Sequence, residues 1–318
     1  MTGPASDLNG DASPDRTTGG DVAGASAAEA AVPDRAAAPE GLDNVWPVLA
    51  KLTHARVGLG RCGSGMPTEA MLRFQADHAL ARDAVFEPFD VEAVRDACER
   101  AGLEPIVVDT QARTCAQFLR MPFAGRQLSP DSRTQLEQVA RDRAAAGLAD
   151  PDVVFIVSDG LSAMGVNLHA GAVLRSAVEL LRSAGVAIGP VLIAHRGRVG
   201  LMNEVGTALR SASTAMLIGE RPGLSAPDSV GAYFEYSPTL DLTDADRNCI
   251  SNIRPAGLPL RDAAEQLAAL ILAGLQQQRS GTMLKVESAP GQLELGQSPG
   301  SGRAGVRPVL RPGSNGPA

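Results

Sequence analysis

Aromatic side chains are scarce in this chain: Phe, Trp and Tyr make up 3% of its 318 residues, and Trp46 is the only tryptophan. Ala, Leu and Val must therefore do most of the packing. The 44% hydrophobic content is enough for a real core in a chain that can hold one large domain or two ordinary ones. Lysine is nearly missing, with only Lys51 and Lys285, so arginine carries the positive charge, a bias that codon usage explains more simply than function does. There is no block of basic residues, which argues against nucleic acid, since binding it demands clustered Lys and Arg to displace counterions. The four cysteines, Cys62, Cys98, Cys115 and Cys249, share no Cys-x-x-Cys spacing. The N-terminus has neither a basic start nor an apolar signal core, so reduced thiols in the cytoplasm are expected. The most apolar stretch, residues 267–275, is too short to cross a bilayer and belongs to a helical segment carrying Arg261, Asp262 and Glu265, so no membrane span is expected.

What the chain has in excess is acid. The formal charge is -7, and residues 1–46 hold eight acids against two arginines, which leaves the remainder almost neutral. Residues 1–44 are Ala, Gly, Asp, Pro and Ser with almost no large apolar side chain, and residues 288–318 are rich in Gly, Pro and Ser. Neither can offset the entropy of ordering, so both are expected to be flexible tails outside the fold.

Residues 45–150 form a mainly helical N-terminal portion in this reading. Met71, Leu72, Phe74, Ala79 and Leu80 can share one broad face of a helix over 66–85. Asp90 is placed to cap a helix ended by Gly102, a short strand follows at 106–108, and Ser129-Pro130 opens a helix closed by Gly147. From Asp152 strand and helix alternate: strands at 153–157, 191–194 and 215–218, helices at 173–181, 201–209 and 262–277, and a possible edge strand at 232–236. This alternation predicts an α/β fold with a Rossmann-like, mostly parallel sheet over residues 151–287.

Gly58-Leu59-Gly60-Arg61-Cys62-Gly63 fits the G-x-G-x-x-G dinucleotide pattern, but the preceding residues 48–54 read as helix and Pro67 delays the next one, so a glycine-rich turn is the better reading. His54, His78, His169 and His195 are scattered and form no ligand set, so no metal site is expected. Ser158-Asp159-Gly160-Leu161-Ser162 lacks the G-x-S-x-G nucleophile turn and reads as a strand-to-helix turn capped by Ser or Asp, at a sheet edge where loops converge. The most informative stretch is 217–254. Its apolar run ends in Gly219-Glu220-Arg221-Pro222-Gly223, a turn at the carboxyl end of a buried strand, where open α/β sheets place their ligands. Glu220 and Arg221 can form a surface pair, or Glu220 can be held there to accept hydrogen bonds from amides. Asp246-Arg247-Asn248-Cys249-Ile250-Ser251-Asn252-Ile253 adds a second cluster of small polar groups, with Cys249 either a small buried hydrophobe or a ligand neighbour.

These two blocks, joined by Asp228-Ser229-Val230-Gly231-Ala232-Tyr233, resemble the light chain of ethanolamine ammonia-lyase, an adenosylcobalamin enzyme. The resemblance recurs in Ala55-Arg56-Val57-Gly58-Leu59-Gly60-Arg61, in Phe74-Gln75-Ala76-Asp77-His78-Ala79 and in Ser158-Asp159-Gly160-Leu161-Ser162, covering roughly residues 45–285. It implies the small subunit of an enzyme that converts ethanolamine to acetaldehyde and ammonia. In that family a heavy chain holds the substrate and the catalytic side chains, while the light chain closes part of the cobalamin cleft. No residue here is then a catalytic acid or base. By resemblance Val199, Glu220 and Cys249 match the positions that contact adenosylcobalamin, and residues 151–287 become the cobalamin-contacting domain. The histidines do not complete an Asp-x-His-x-x-Gly signature, so the cofactor's own dimethylbenzimidazole is expected to stay as the lower ligand of cobalt. The resemblance further implies a hetero-oligomer with six copies of each chain, a subunit-packing role for the glycine-rich turn, and a bacterial microcompartment address in the N-terminal extension. One departure stands out: Arg120-Met121-Pro122-Phe123-Ala124-Gly125-Arg126 replaces an Arg-Pro-Asp-Leu-Gly-Arg-like segment, so the acid of that turn is missing. The alternative, from the residues alone, is a nonenzymatic Rossmann-like module that binds a nucleotide or serves as a scaffold.

Overall fold

The computed structural model describes residues 45–53 and 55–286; His54 and the two terminal segments expected to be flexible lie outside the described residues. The chain divides into two compact units, one ending at Leu59 and one beginning at Gly60. In the first, helix α1 (Val45–Leu52) is followed by a turn in which Gly58 takes φ +63 and lies against Trp46. A Cβ at Gly58 would sit 2.6 Å from Trp46 Cβ, so a side chain there is excluded twice over, by contact and by backbone conformation.

The second unit runs α2 (Thr68–Phe86), α3 (Val91–Arg100), β1 (Pro105–Asp109), α4 (Cys115–Arg120), a 3-10 turn Pro122–Arg126, α5 (Pro130–Ala145), β2 (Val153–Ser158) and the short α6 (Ala163–Gly165). After a π-helical turn, Val166–Ala170, come α7 (Gly171–Ser183), β3 (Ile188–His195), α8 (Leu201–Leu209), β4 (Ser213–Gly219), β5 (Val230–Tyr236), β6 (Asn248–Ile253) and α9 (Leu260–Gln277). Local chemistry sets several boundaries. Asp90 accepts a hydrogen bond from Ala93 N at 2.9 Å to cap α3, and Ser129 accepts from Ser132 N at 3.2 Å ahead of Pro130 in α5. Gly102 and Gly147 end the same helices with φ +65 and +73.

The six strands form one sheet in the order β1-β3-β2-β4-β5-β6. The pairings among β1, β3, β2 and β4 are parallel, and those of β5 with β4 and β6 are antiparallel, so the fold is α/β with a mixed sheet. Residues 232–236, expected as an edge strand, are interior, because the polar cluster at 246–253 is itself the edge strand β6. Side chains alternate across the sheet as strand geometry requires. Val153, Phe155 and Val157 pack into the layer formed by α7 and α9, while Val154 and Ile156 pack against α8 and Leu136 of α5. The central strands are buried on both faces, which is why they read as unbroken apolar runs.

Helix α2 departs from its expected face. Met71, Leu72, Phe74 and Leu80 are all at least 37% exposed, and Ala84 is its one buried residue. The large apolar side chains of α2 therefore do not feed the core of this chain.

One buried charge pair fixes the antiparallel half. Arg247 donates from Nε to Glu235 Oε2 at 2.6 Å and from Nη1 to Asp244 Oδ1 at 2.7 Å, and Asn203 Oδ1 accepts from its Nη2. Glu235 Oε1 accepts from Thr214 Oγ1 at 3.0 Å, and the two charged side chains are 0% and 3% exposed. Burial pushes the Glu235 carboxyl up and Arg247 pulls it back, and the pair stands because each guanidinium nitrogen and each carboxylate oxygen meets a partner. Arg247→Met, which strands a buried carboxylate, is expected to lower the unfolding free energy by about 3–5 kcal/mol. Urea denaturation checks this, and the double change Glu235→Leu with Arg247→Met should recover a large part of the loss. A single-variant cost within error of zero would mean that the pair holds nothing together.

Candidate functional site

Strands β2, β3 and β4 end at one edge of the sheet, and the direction of the crossovers selects a place along it. The β2–β3 connection passes through α7 on one face, whereas the β3–β4 connection passes through α8 on the other. The chain therefore turns opposite ways from β2 and toward β4, which leaves a crevice outside their carboxyl ends. Serving that crevice are Ser158-Asp159-Gly160-Leu161 after β2, Arg196-Gly197-Arg198-Val199-Gly200 after β3, and Glu220-Arg221 after β4.

The two strand ends touch through backbone. Leu161 N donates to Gly219 O at 3.0 Å. A Cβ on Gly219 would lie 2.0 Å from Ser162 O, and one on Gly160, whose φ is +56, would lie 2.4 Å from Gly219 O. Neither position admits a side chain without moving main chain. Above this seam lies an open cavity of about 380 Å³ lined by Leu161, Arg198, Val199, Glu220, Arg221 and Tyr233.

The structure thus brings Val199 and Glu220, expected from the sequence, to one cavity. Val199 follows the β3 loop into α8, where its carbonyl accepts from Met202 N at 3.1 Å, and its side chain packs at the margin of the α8-side core. Glu220 is half-buried. Its Oε2 accepts from Asn252 N at 3.1 Å, and Oε1 has no donor among the described residues. Asn252 holds that N–H in place with a left-handed φ of +59. Gly231 leaves the room for the carboxylate, since a Cβ there would come within 3.2 Å of Glu220 Oε1.

Cys249 is not part of the cavity wall. It is exposed on β6, opposite Tyr233 in the β5–β6 register, with its Sγ 3.2 Å from Ser251 Oγ. Tyr233, which sequence reasoning did not single out, joins the two: it lines the cavity on one side and meets Cys249 on the other. Burial and the Cys249 contact both push its phenol up, so Tyr233 is neutral at physiological pH and keeps its proton to donate. The signal for it was the alternation of Gly231, Tyr233 and Glu235 onto the α8 face of β5, visible only once β5 is known to be interior.

A neighbouring cavity of about 300 Å³ shares Gly160 and Leu161 and is lined by Phe86, Phe118, Asp159 and His195. Asp159 does not cap a helix, as the sequence suggested. Its Oδ1 accepts from Arg196 N at 2.6 Å, Gly160 N at 3.0 Å and Ser158 Oγ at 3.1 Å, tying the exits of β2 and β3 together. Burial nonetheless pushes its carboxyl up. Ser162 likewise turns its hydroxyl to Pro227 O at 2.9 Å rather than to a helix end. His169 pairs with Asp228 at 3.2 Å and His195 stacks edge-on to Phe89, and neither lines the Val199–Glu220 cavity. Among the described residues no group of three or more His, Cys, Asp or Glu is placed to hold a metal ion. No described helix is long and apolar enough to cross a membrane. The G-x-G-x-x-G segment carries no strand before its first glycine, only helix α1 further upstream, so the dinucleotide context is missing there.

Comparison with known proteins gives one consistent result. The family model described as ethanolamine ammonia-lyase light chain matches residues 43–285. The ethanolamine ammonia-lyase small subunit of Azotobacter vinelandii is 42% identical over 269 residues, covering 84% of this chain and 97% of that one. The small subunit of Rhodopseudomonas palustris is 45% identical over 242 residues, 76% of this chain and 89% of the relative, and that of Ralstonia nicotianae is 42% identical over 254 residues.

The seam beneath the cavity makes a contrast between two glycines of the same loop. Gly219→Ala, which forces a Cβ onto main-chain oxygens, is expected to cost about 1–3 kcal/mol of stability. Gly223→Ala, where the nearest atom is 3.8 Å away, should stay within about 0.5 kcal/mol of the parent. Chemical denaturation of the two variants side by side decides it, and equal effects would mean that the β2–β4 seam is not close-packed.

Proposed function

The chain belongs to the ethanolamine ammonia-lyase light-chain family, and we propose that it is the small subunit of that enzyme, serving as one wall of an adenosylcobalamin cleft completed by a large subunit. The single observation that carries the cofactor assignment is the meeting of Val199 and Glu220 in one cavity at the crevice between β2 and β4. The chemistry of the wall fits a macrocycle fringed with amides. Glu220 Oε1 is left without a donor among the described residues, Tyr233 keeps a phenolic proton, and Val199 gives an apolar surface. Cys249, one position removed behind Tyr233, borders the same ligand at the rim. In this reading residues 151–287 are the cobalamin-contacting domain, and the parallel part of the sheet, with helices on both faces and a ligand at its crevice, is Rossmann-like.

Adenosylcobalamin, when bound, supplies a radical by homolysis of its cobalt–carbon bond. This chain's residues bind and orient: Glu220, fixed by Asn252 N, accepts from an amide edge, and Val199 and Leu161 exclude water from that side. In this proposal the substrate chemistry resides in the large subunit. The exposed apolar side chains of α2, Leu72, Leu80 and Phe86 among them, suit a chain that works against another protein surface. Assembly as six copies of each chain, ethanolamine bound by the partner, and delivery to a bacterial microcompartment belong to the same proposal and rest on the resemblance alone.

Two outcomes test it. Mixing the separately purified small and large chains with adenosylcobalamin and ethanolamine should produce acetaldehyde, with none from this chain alone; turnover by the isolated chain would sink the light-chain assignment. In the assembled enzyme, Glu220→Ala should weaken cobalamin retention, read from corrinoid absorbance after gel filtration, by about 1–3 kcal/mol. Retention equal to the parent would remove Glu220 from the site.

A further inference from the structure

The wall of the Val199–Glu220 cavity carries more positive charge than the chain itself satisfies. Arg198 and Arg221 line it, and Glu220 is its only acid, with one oxygen already committed to Asn252 N. Arg198 is held rigidly. Its guanidinium lies 4.1 Å above the Phe118 ring, Nη2 donates to Phe118 O at 3.0 Å, and its backbone N donates to Gly125 O at 2.7 Å. Its Nε is buried and has no hydrogen-bond partner among the described residues. Arg221 is exposed and has no acidic partner among the described residues. A third arginine, Arg126, approaches from the 3-10 turn and among the described residues pairs with Asp244 alone, 3.5 Å away, which Arg247 already engages.

Two guanidinium groups beside one half-paired carboxylate, with the charge of Arg126 acting on Arg198 from outside the cavity wall, are an arrangement that water and counterions must otherwise neutralise. Burial, and then the charges of Arg126 and Arg221, push the Arg198 guanidinium down from its ordinary value, the direction expected of a cation that lacks an anion. The planar fork of arginine matches the oxygens of a phosphate group, and a buried donor without a partner is the costliest part of the site to leave empty. The loop also leads straight into the N-terminus of α8, whose dipole adds positive potential on the same side.

We propose that Arg198 and Arg221 form a phosphodiester subsite within this cleft, taking the phosphate that links the corrin side arm to the lower nucleotide of cobalamin, while Glu220 takes an amide of the ring. The inference rests on the reading of the cavity as a cobalamin site. It divides the ligand between two chemistries: the carboxylate reads N–H donors of the corrin edge, and the arginines read the one anionic group of the nucleotide loop. The missing acid in the 120–126 segment is consistent with this division, because an added carboxylate near Arg126 would compete for the same cations.

The test compares two corrinoids on the assembled two-chain enzyme. Cyanocobalamin carries the phosphodiester, and cyanoaquacobinamide has the same amide-fringed corrin without it. Binding is read from visible absorbance in equilibrium dialysis, so no turnover is needed. Arg221→Gln, at an exposed position with no acidic partner, should weaken cyanocobalamin binding about tenfold and leave cyanoaquacobinamide within about twofold, and Arg221→Lys should recover part of the difference. Equal losses for both corrinoids, or no loss for either, overturn the phosphodiester subsite while leaving the cleft a cobalamin site. Weaker association of the two chains without any corrinoid, seen by sedimentation, would mean that Arg221 meets a carboxylate of the large subunit and overturns it as well. A parent complex that binds neither corrinoid overturns the cobalamin reading itself, and the subsite with it.

Discussion

The backbone contact between the ends of β2 and β4 is the constraint on which the site depends. Because Gly160 and Gly219 bring main chain onto main chain, the loops that leave these strands cannot fill the crevice between them and must pass around it. Glu220 is then set by position rather than by its own flexibility. Its N–H donates to Ser229 O at 3.1 Å, its side chain fits where Gly231 has no Cβ, and Asn252 N fixes one oxygen. Asp159 performs the matching task on the other side by tying Arg196 N and Gly160 N, so the β3 exit that carries Arg198 and Val199 is registered to the same seam. The result is preorganisation: a carboxylate and a guanidinium held by contacts already made inside the chain.

Charge is distributed along the same path. The buried Glu235–Arg247 pair fixes the turn that carries Asp244, Asp244 reaches Arg126, and Arg126 lies against Gly200 and faces Arg198. The fully buried pair is satisfied, with Thr214, Asn203 and Asp244 completing it. The exposed end of the chain of charges is not, and there the arginines outnumber the acids. Because the acids are concentrated in residues 1–46 and the remainder is almost neutral, arginines gathered at one cavity give it a local positive field, which is more informative than the same residues spread over a surface.

Much of this fold was legible because its central strands are buried on both faces. The runs at 153–157, 191–194 and 215–218 are apolar without interruption, and α8 was readable to the residue from its apolar spacing. Strand β6 was not, since Asn-Cys-Ile-Ser-Asn-Ile lies at the sheet edge, mostly in reach of water, and polar residues there carry no penalty that would mark a strand. Its identity then hid the interior place of β5 and, with it, Tyr233. The face of α2 was misjudged for the opposite reason: apolar residues surround the helix, so periodicity could not say which side turns inward. In the candidate site, Glu220 could be argued from its place at a strand end. The cofactor contacts proposed for Val199 and Cys249 rest on resemblance, because a valine and a cysteine carry no spacing that singles out a ligand.

The cavity is open on the side away from the sheet, and that openness bears on how labour is divided in a two-chain enzyme. A reactive radical needs a dry, enclosed site, yet a cofactor with a corrin ring is too broad for a cavity of about 380 Å³ to surround. One chain with this cavity can grip an edge and an anion but cannot seal the ring. In the proposed reading a second surface closes the opposite side, and it is the surface that meets the substrate. Placing the substrate chemistry on that second chain means that closure and catalysis depend on one event, the docking of the two walls. Under that proposal the small chain contributes to catalysis by holding its share of the cofactor still, which is what a wall built on backbone contacts and paired side chains does best.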